Sequence, residues 1–120
     1  MAYIDGFMAA VPKANKAEFE KWVAVVHPAI EEFGATAIVD AWEDDVPDGQ
    51  MTSMRMAVAA DPDEKVIFSW IVWPDKKTRD NGWEKMSTDP RMSLKQNPMP
   101  FDGKRMIIGG FAPILMTGQS

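Results

Sequence analysis

A chain of 120 residues with 46% apolar and 26% charged side chains has the size and mixture of one globular domain, spanning residues 1–120, and not of a disordered segment. The absence of cysteine excludes disulfides, thiolate metal sites and cysteine nucleophiles. A net charge of −5, with basic residues only in pairs such as Lys76-Lys77 and Lys104-Arg105, argues against a nucleic-acid footprint. No apolar run approaches the ~20 residues that span a bilayer, and the first residues carry no basic leader. The expectation is a soluble, cytoplasmic protein with no membrane or nucleic-acid partner.

Tyr3 to Val11 alternates as a strand, with Tyr3, Asp5, Phe7, Ala9 and Val11 on one side and Ile4, Gly6, Met8 and Ala10 on the other. Pro12 closes it. Asn15 with Glu18 three residues on forms a capping-box pattern. Phe19, Trp22, Val23, Val26, Ile30 and Phe33 then follow at helical spacing, and Gly34 stands at the C-terminal cap. Thr36 to Asp44 reads as a second strand, with Ile38 and Trp42 on one side and Val39 and Ala41 on the other, before the turn Val46-Pro-Asp-Gly49. Met54 to Val58 fits either a short strand or one helical turn, and is taken as extended.

Val66 to Trp73 has seven apolar residues in eight, so a strand built from it buries both faces. Asp75 caps a second helix reaching to about Thr88; Gly82 inside it implies a close neighbour. Asp89-Pro90 starts a short turn, residues 95–104 form a loop, and Met106 to Leu115 gives the last strand. This order of strands and helices predicts an α+β fold: a ferredoxin-like split βαβ arrangement with a four-stranded antiparallel sheet and two main helices on one face. Tyr3, Phe7 and half of strand 66–73 are expected on the other face, which needs a cover. A second copy of the chain is the simplest one.

Tyr3-Ile-Asp-Gly-Phe7, Trp42-Glu-Asp-Asp-Val-Pro-Asp-Gly49, Phe68-Ser-Trp-Ile-Val-Trp-Pro-Asp75, Asp89-Pro-Arg-Met92 and Met99-Pro-Phe-Asp-Gly-Lys-Arg-Met106 together resemble the YbaA-like family of small bacterial proteins of unknown function. The resemblance spans nearly the whole chain. It implies a homodimeric α/β-barrel, two ferredoxin-like chains with sheets face to face, in a superfamily that also holds cofactor-free monooxygenases and isomerases. It implies no particular chemistry.

His27 is the only histidine, so neither a multi-histidine zinc site nor a Ser-His-Asp set follows from sequence. It lies on the flank of the apolar stripe beside Pro28. It reads as a boundary residue at a kink, or as a single haem ligand or general base. Asp5 sits mid-strand between Tyr3 and Phe7, and Arg105 is its expected partner from the neighbouring last strand. Such a pair either orients a ligand or fixes register.

Tyr3, Phe7, Trp42, Trp70 and Trp73 are candidates to line a ligand cavity, or else an interface. The acidic turn from Asp44 carries Arg55 where a calcium loop needs glutamate, so no metal is expected there, nor any cofactor elsewhere. The functional expectation is a homodimeric protein that binds a small apolar or aromatic molecule between sheet and helices. The alternative is a cofactor-free monooxygenase or isomerase using Asp5, Arg105, Trp42 and His27.

Overall fold

A computed structural model describes residues 1–118. Four strands form one antiparallel sheet in the order β2-β3-β1-β4: β1 (Tyr3–Pro12), β2 (Ala37–Trp42), β3 (Glu64–Trp73) and β4 (Ile107–Phe111). Between them run α1 (Lys16–Glu32), a single turn α2 (Met54–Ala57) and α3 (Lys76–Met86). Among the described residues, no helix is long and apolar enough to cross a membrane.

The register sorts the sheet into two unlike faces. Asp5 lies opposite Ile71 and Gly110, and Phe7 opposite Ser69. Tyr3, Phe7, Ile38, Ile71 and Trp73 pack with Val26 and Ile30 of α1 and Met86 of α3. The helices therefore cover the face that carries Tyr3 and Phe7, and the expected placement of those two on the open face is corrected. The reason is Asp5: its carboxylate finds donors on α3, so a row containing a charge is the one that can be sealed. The other row, Ile4, Met8, Phe68, Trp70, Ile107 and Phe111, lines an open apolar face with nothing polar to satisfy. Its end near Ala10 and Val66 is covered by Val58 after α2, and Val72, opposite Ile4, is buried as well.

Local chemistry explains the elements and three departures from expectation. Asn15 does not cap α1. A 3₁₀ turn, Lys13–Asn15, leads directly into the helix and leaves Asn15 outside the extended conformation a cap needs. Its amide instead donates to the Pro100 carbonyl at 2.9 Å and ties down the segment before β4.

Residues 54–57 are helical because Ser53, extended, accepts from Met56 N–H at 3.0 Å and starts a turn. β4 stops at Phe111, two residues before Pro113, which has no N–H to give a ladder. Elsewhere the signals act as read. Gly34, at φ 114°, closes α1 with Gly34 N–H to Glu31 O at 3.1 Å and Ala35 N–H to Ile30 O at 3.3 Å, a Schellman pattern. Asp75 caps α3 by accepting from Thr78 N–H at 2.7 Å.

Gly82 brings α3 onto β3. A Cβ there would stand 2.7 Å from two ring atoms of Trp73, a side chain with no exposed surface whose indole N–H is fixed by hydrogen bonding. Gly82→Ala is expected to destabilise by about 1–2 kcal/mol, overpacking outweighing the helix propensity gain. Urea unfolding should show a lower midpoint with unchanged slope; an unchanged or higher midpoint would mean the ring yields freely.

Candidate functional site

α1 and the segment 92–106 roof the helix-covered face without filling it, leaving a chamber of about 210 Å³. Its walls are apolar, with aliphatic and methionine side chains around a set of rings: Phe7 from β1, Phe19 and Trp22 from α1, Trp83 from α3 and Phe101 from the roof. Trp22 and Phe101 meet edge to face, with centroids 5.7 Å apart at 88°, and Phe7 and Trp83 lie tilted at 47° with centroids 6.1 Å apart. The Asn15–Pro100 hydrogen bond anchors the roof beside Phe101.

The sheet contributes the polar wall. Asp40 and Ser69 are direct partners across β2 and β3 and both border the chamber. Ser69 Oγ donates to Asp40 Oδ1 at 2.5 Å, and His27 Nε2 lies 2.5 Å from Asp40 Oδ2. Asp40 is therefore the centre of the three groups. In a Ser-His-Asp nucleophile the imidazole stands between, ready to take the serine proton. Here the serine proton is already directed at a carboxylate, so the arrangement orients Asp40 and does not activate Ser69. The side chain of Asp40 is 15% exposed and that of His27 32%, the latter in a shallow depression beside Pro28 and Glu31.

The sequence candidates fall into separate places. Asp5 has no exposed surface and forms a closed cluster: Trp73 Nε1 donates to it at 2.9 Å, Trp83 Nε1 at 2.8 Å, and Arg79 Nε and Nη2 at 3.0 and 2.9 Å. Its partner is thus Arg79, not Arg105. β4 begins with Ile107 opposite Met8, which leaves Arg105 beyond the other end of β1, where it grips Glu64 at 2.7 and 2.8 Å.

Arg79 is held above its ordinary pKa first by the hydrogen bond to Asp5, and it lies 5.2 Å from the ring centroid of Tyr3. Trp73 belongs to this cluster. Trp42 packs at a tilt against Phe19 with 6.1 Å between centroids, and Lys16 lies over it. Of the expected lining set, Phe7 and Trp70 border the chamber, and Trp70 also pairs with Phe68 on the open face. His27 touches the site only through Asp40.

Asp40 and Ser69 were not among the sequence candidates. Their signal was present: Asp40 stands between Ile38 and Trp42 in an otherwise apolar row, and Ser69 is the single polar residue of strand 66–73. Among the described residues, no group of three or more His, Asp or Glu side chains converges to hold a metal ion.

A four-stranded antiparallel sheet with helices over one face and an apolar chamber beneath them defines a small α+β protein. Residues 2–103 match the family described as a protein of unknown function (DUF1428), and the chain belongs to that family. It is 50% identical over 115 residues to the uncharacterized protein YbaA of Escherichia coli strain K12, covering 96% of this chain and 98% of that one. The same figures hold for YbaA of Shigella flexneri. The membership expected from the five motifs is thereby shown. A solved structure, Rv0793 from Mycobacterium tuberculosis, shares the fold at a TM-score of 0.54 and 11% identity, over 98% of this chain and 100% of that chain.

Two stability predictions follow from these contacts. Asp5→Asn keeps the shape but strands Arg79 and is expected to cost about 3 kcal/mol, within the range for breaking a buried pair. A loss under about 0.5 kcal/mol in urea unfolding would show that the cluster is not a stabilising element. The Arg105 hydrogen bonds hold the Glu64 carboxyl at about 2, down from 4.5. A depressed folded-state value stabilises above pH 4.5, and that stability is lost as pH falls towards 2. Glu64→Gln should remove on the order of 2 kcal/mol of acid sensitivity in that window, read as a flatter dependence of unfolding free energy on pH.

Proposed function

We propose that the chain is a homodimeric small-molecule-binding protein whose ligand, compact and apolar or aromatic, occupies the chamber between sheet and helices. One observation carries the reading. An apolar space of about 210 Å³ with several rings in its wall lies between sheet and helices, and among the described residues a single carboxylate, Asp40, borders it. Apolar walls supply most of the affinity, and the few polar groups set orientation.

The dimer rests on the opposite face. Strand order and the placement of both long helices on one side support the ferredoxin-like arrangement, and two such sheets meeting face to face make a dimeric α/β-barrel. Phe68 and Phe111 are 45% and 61% exposed, and they flank an open apolar groove continuous with Ile4, Met8 and Ile107. Such a face is costly in water and self-complementary in character. The alternative, a cofactor-free monooxygenase or isomerase, is favoured by one observation only, the Asp40 carboxylate in an apolar space.

Native mass spectrometry should give a dimer of about 27 kDa, twice the 13.4 kDa chain. Phe68→Asp should return it to monomer, and a wild-type monomer would remove the dimer. Naphthalene titrated into the protein should shift the indole N–H resonances of Trp22 and Trp83; silence at both would remove the ligand reading.

A further inference from the structure

We propose that Asp40 is the hydrogen-bond acceptor of the chamber, and that the ligand it selects is a neutral planar aromatic alcohol of one or two rings. The inference rests on the chamber reading above and adds the chemistry of its polar wall. A carboxylate offers about four lone-pair positions. Asp5 and Asp40 share one sheet face and differ in how those positions are used. Asp5 receives two donors at Oδ1 and three at Oδ2, and is saturated. Asp40 receives one donor at each oxygen, Ser69 and His27, so acceptor capacity remains on a group that borders the chamber.

The surroundings define the complement. The other chamber walls are rings, methionines and branched aliphatics, and the rings favour a flat apolar body. Besides Asp40 and Ser69, Asn97 is the one polar side chain there among the described residues, and its amide nitrogen is engaged with the Arg91 carbonyl at 2.8 Å. Among the described residues no lysine or arginine lines the space, so an aromatic acid would meet Asp40 as like charge against like charge. A hydroxyl group instead supplies the donor that a carboxylate lacks. About 210 Å³ is below the usual range for drug-sized ligands, roughly 300–1,000 Å³, which restricts the body to one or two rings.

The contact is a hydrogen bond and no bond breaks in the ground state: the ligand O–H donates to Asp40 and keeps its proton, because an aromatic alcohol is a far weaker acid than a carboxyl group. Ser69 and His27 are positioning residues, because each contacts Asp40 and fixes the plane of its carboxyl group.

The test uses 2-naphthol, whose excited state releases its proton to an adjacent base and then emits as naphtholate. Naphthalene serves as the matched probe without a donor. Both should bind the wild-type protein, 2-naphthol about tenfold or more tightly, the increment of a hydrogen bond to a charged group. Bound 2-naphthol should emit mainly in the naphtholate band. Asp40→Asn should shift that emission to the neutral band while naphthalene affinity stays within about twofold.

If Asp40→Asn fails to fold, the wild-type protein still decides. His27 is the only imidazole, and its ¹⁵N resonances should move with 2-naphthol and stay fixed with naphthalene. Equal affinities, neutral-band emission and an unmoved His27 would overturn the role of Asp40 while leaving the chamber intact. Binding of neither probe would overturn the chamber reading, and the Asp40 proposal with it.

Discussion

The carboxylate of Asp5 fixes the handedness of burial in this sheet. It stands in the middle of β1, a position where an unpaired charge would cost several kcal/mol. Arg79 and Trp83 reach it from α3 and Trp73 from the end of β3. These donors come from residues distant in sequence, so the cluster forms only when α3 lies across β1 and β3. Gly82 then admits the Trp73 ring beneath the helix. Once α3 is committed to this face, the connection of α1 between β1 and β2 places it there too, and the row with Ile4, Met8 and Phe68 is left open. The polar cluster thus specifies which face is sealed, a choice the apolar residues on either row would leave undetermined.

Ion pairs at the margins complete that frame. Glu64 at the start of β3 receives both Arg105 nitrogens, which locks the entry to β4. Arg91 bridges Asp89 and Glu32, joining the turn after α3 to the end of α1. Both bridges are bidentate or shared, the geometry in which arginine contributes most. They flank the segment 92–106 that roofs the chamber, and Asn15 fixes its middle. A roof held at both ends and at one interior point can stay apart from the sheet and leave space beneath it.

Much of this was legible in the sequence. The alternation of β1, the stripe of α1, the doubly apolar β3, the Asp75 cap and the Gly34 terminus all appear in the structure where their chemistry places them. Alternation shows which residues share a face, however, and not which face the helices take. Asp5 made its own row look like the wet or shared one, when its donors on α3 make it the buried one. The choice between Arg79 and Arg105 depended on where β4 enters the ladder, a register that no local signal carries. Asp40 and Ser69 were missed because each is an ordinary polar residue in its own strand. Only cross-strand pairing makes them neighbours.

The two carboxylates of the covered face show how one sheet separates stability from chemistry. Asp5 and Asp40 both project from strand interiors beneath helices, and both are held by side chains and not by backbone. A carboxylate with every acceptor position filled and no exposed surface has nothing to offer a ligand; its charge is consumed in holding α3. A carboxylate with two donors and a border on an apolar space is oriented without being exhausted. Burial alone would have ranked Asp5 first as a functional residue, since it is the more deeply buried. Counting donors against acceptor positions reverses that ranking. The residue with unused acceptor capacity beside the chamber is the one we propose as its ligand contact.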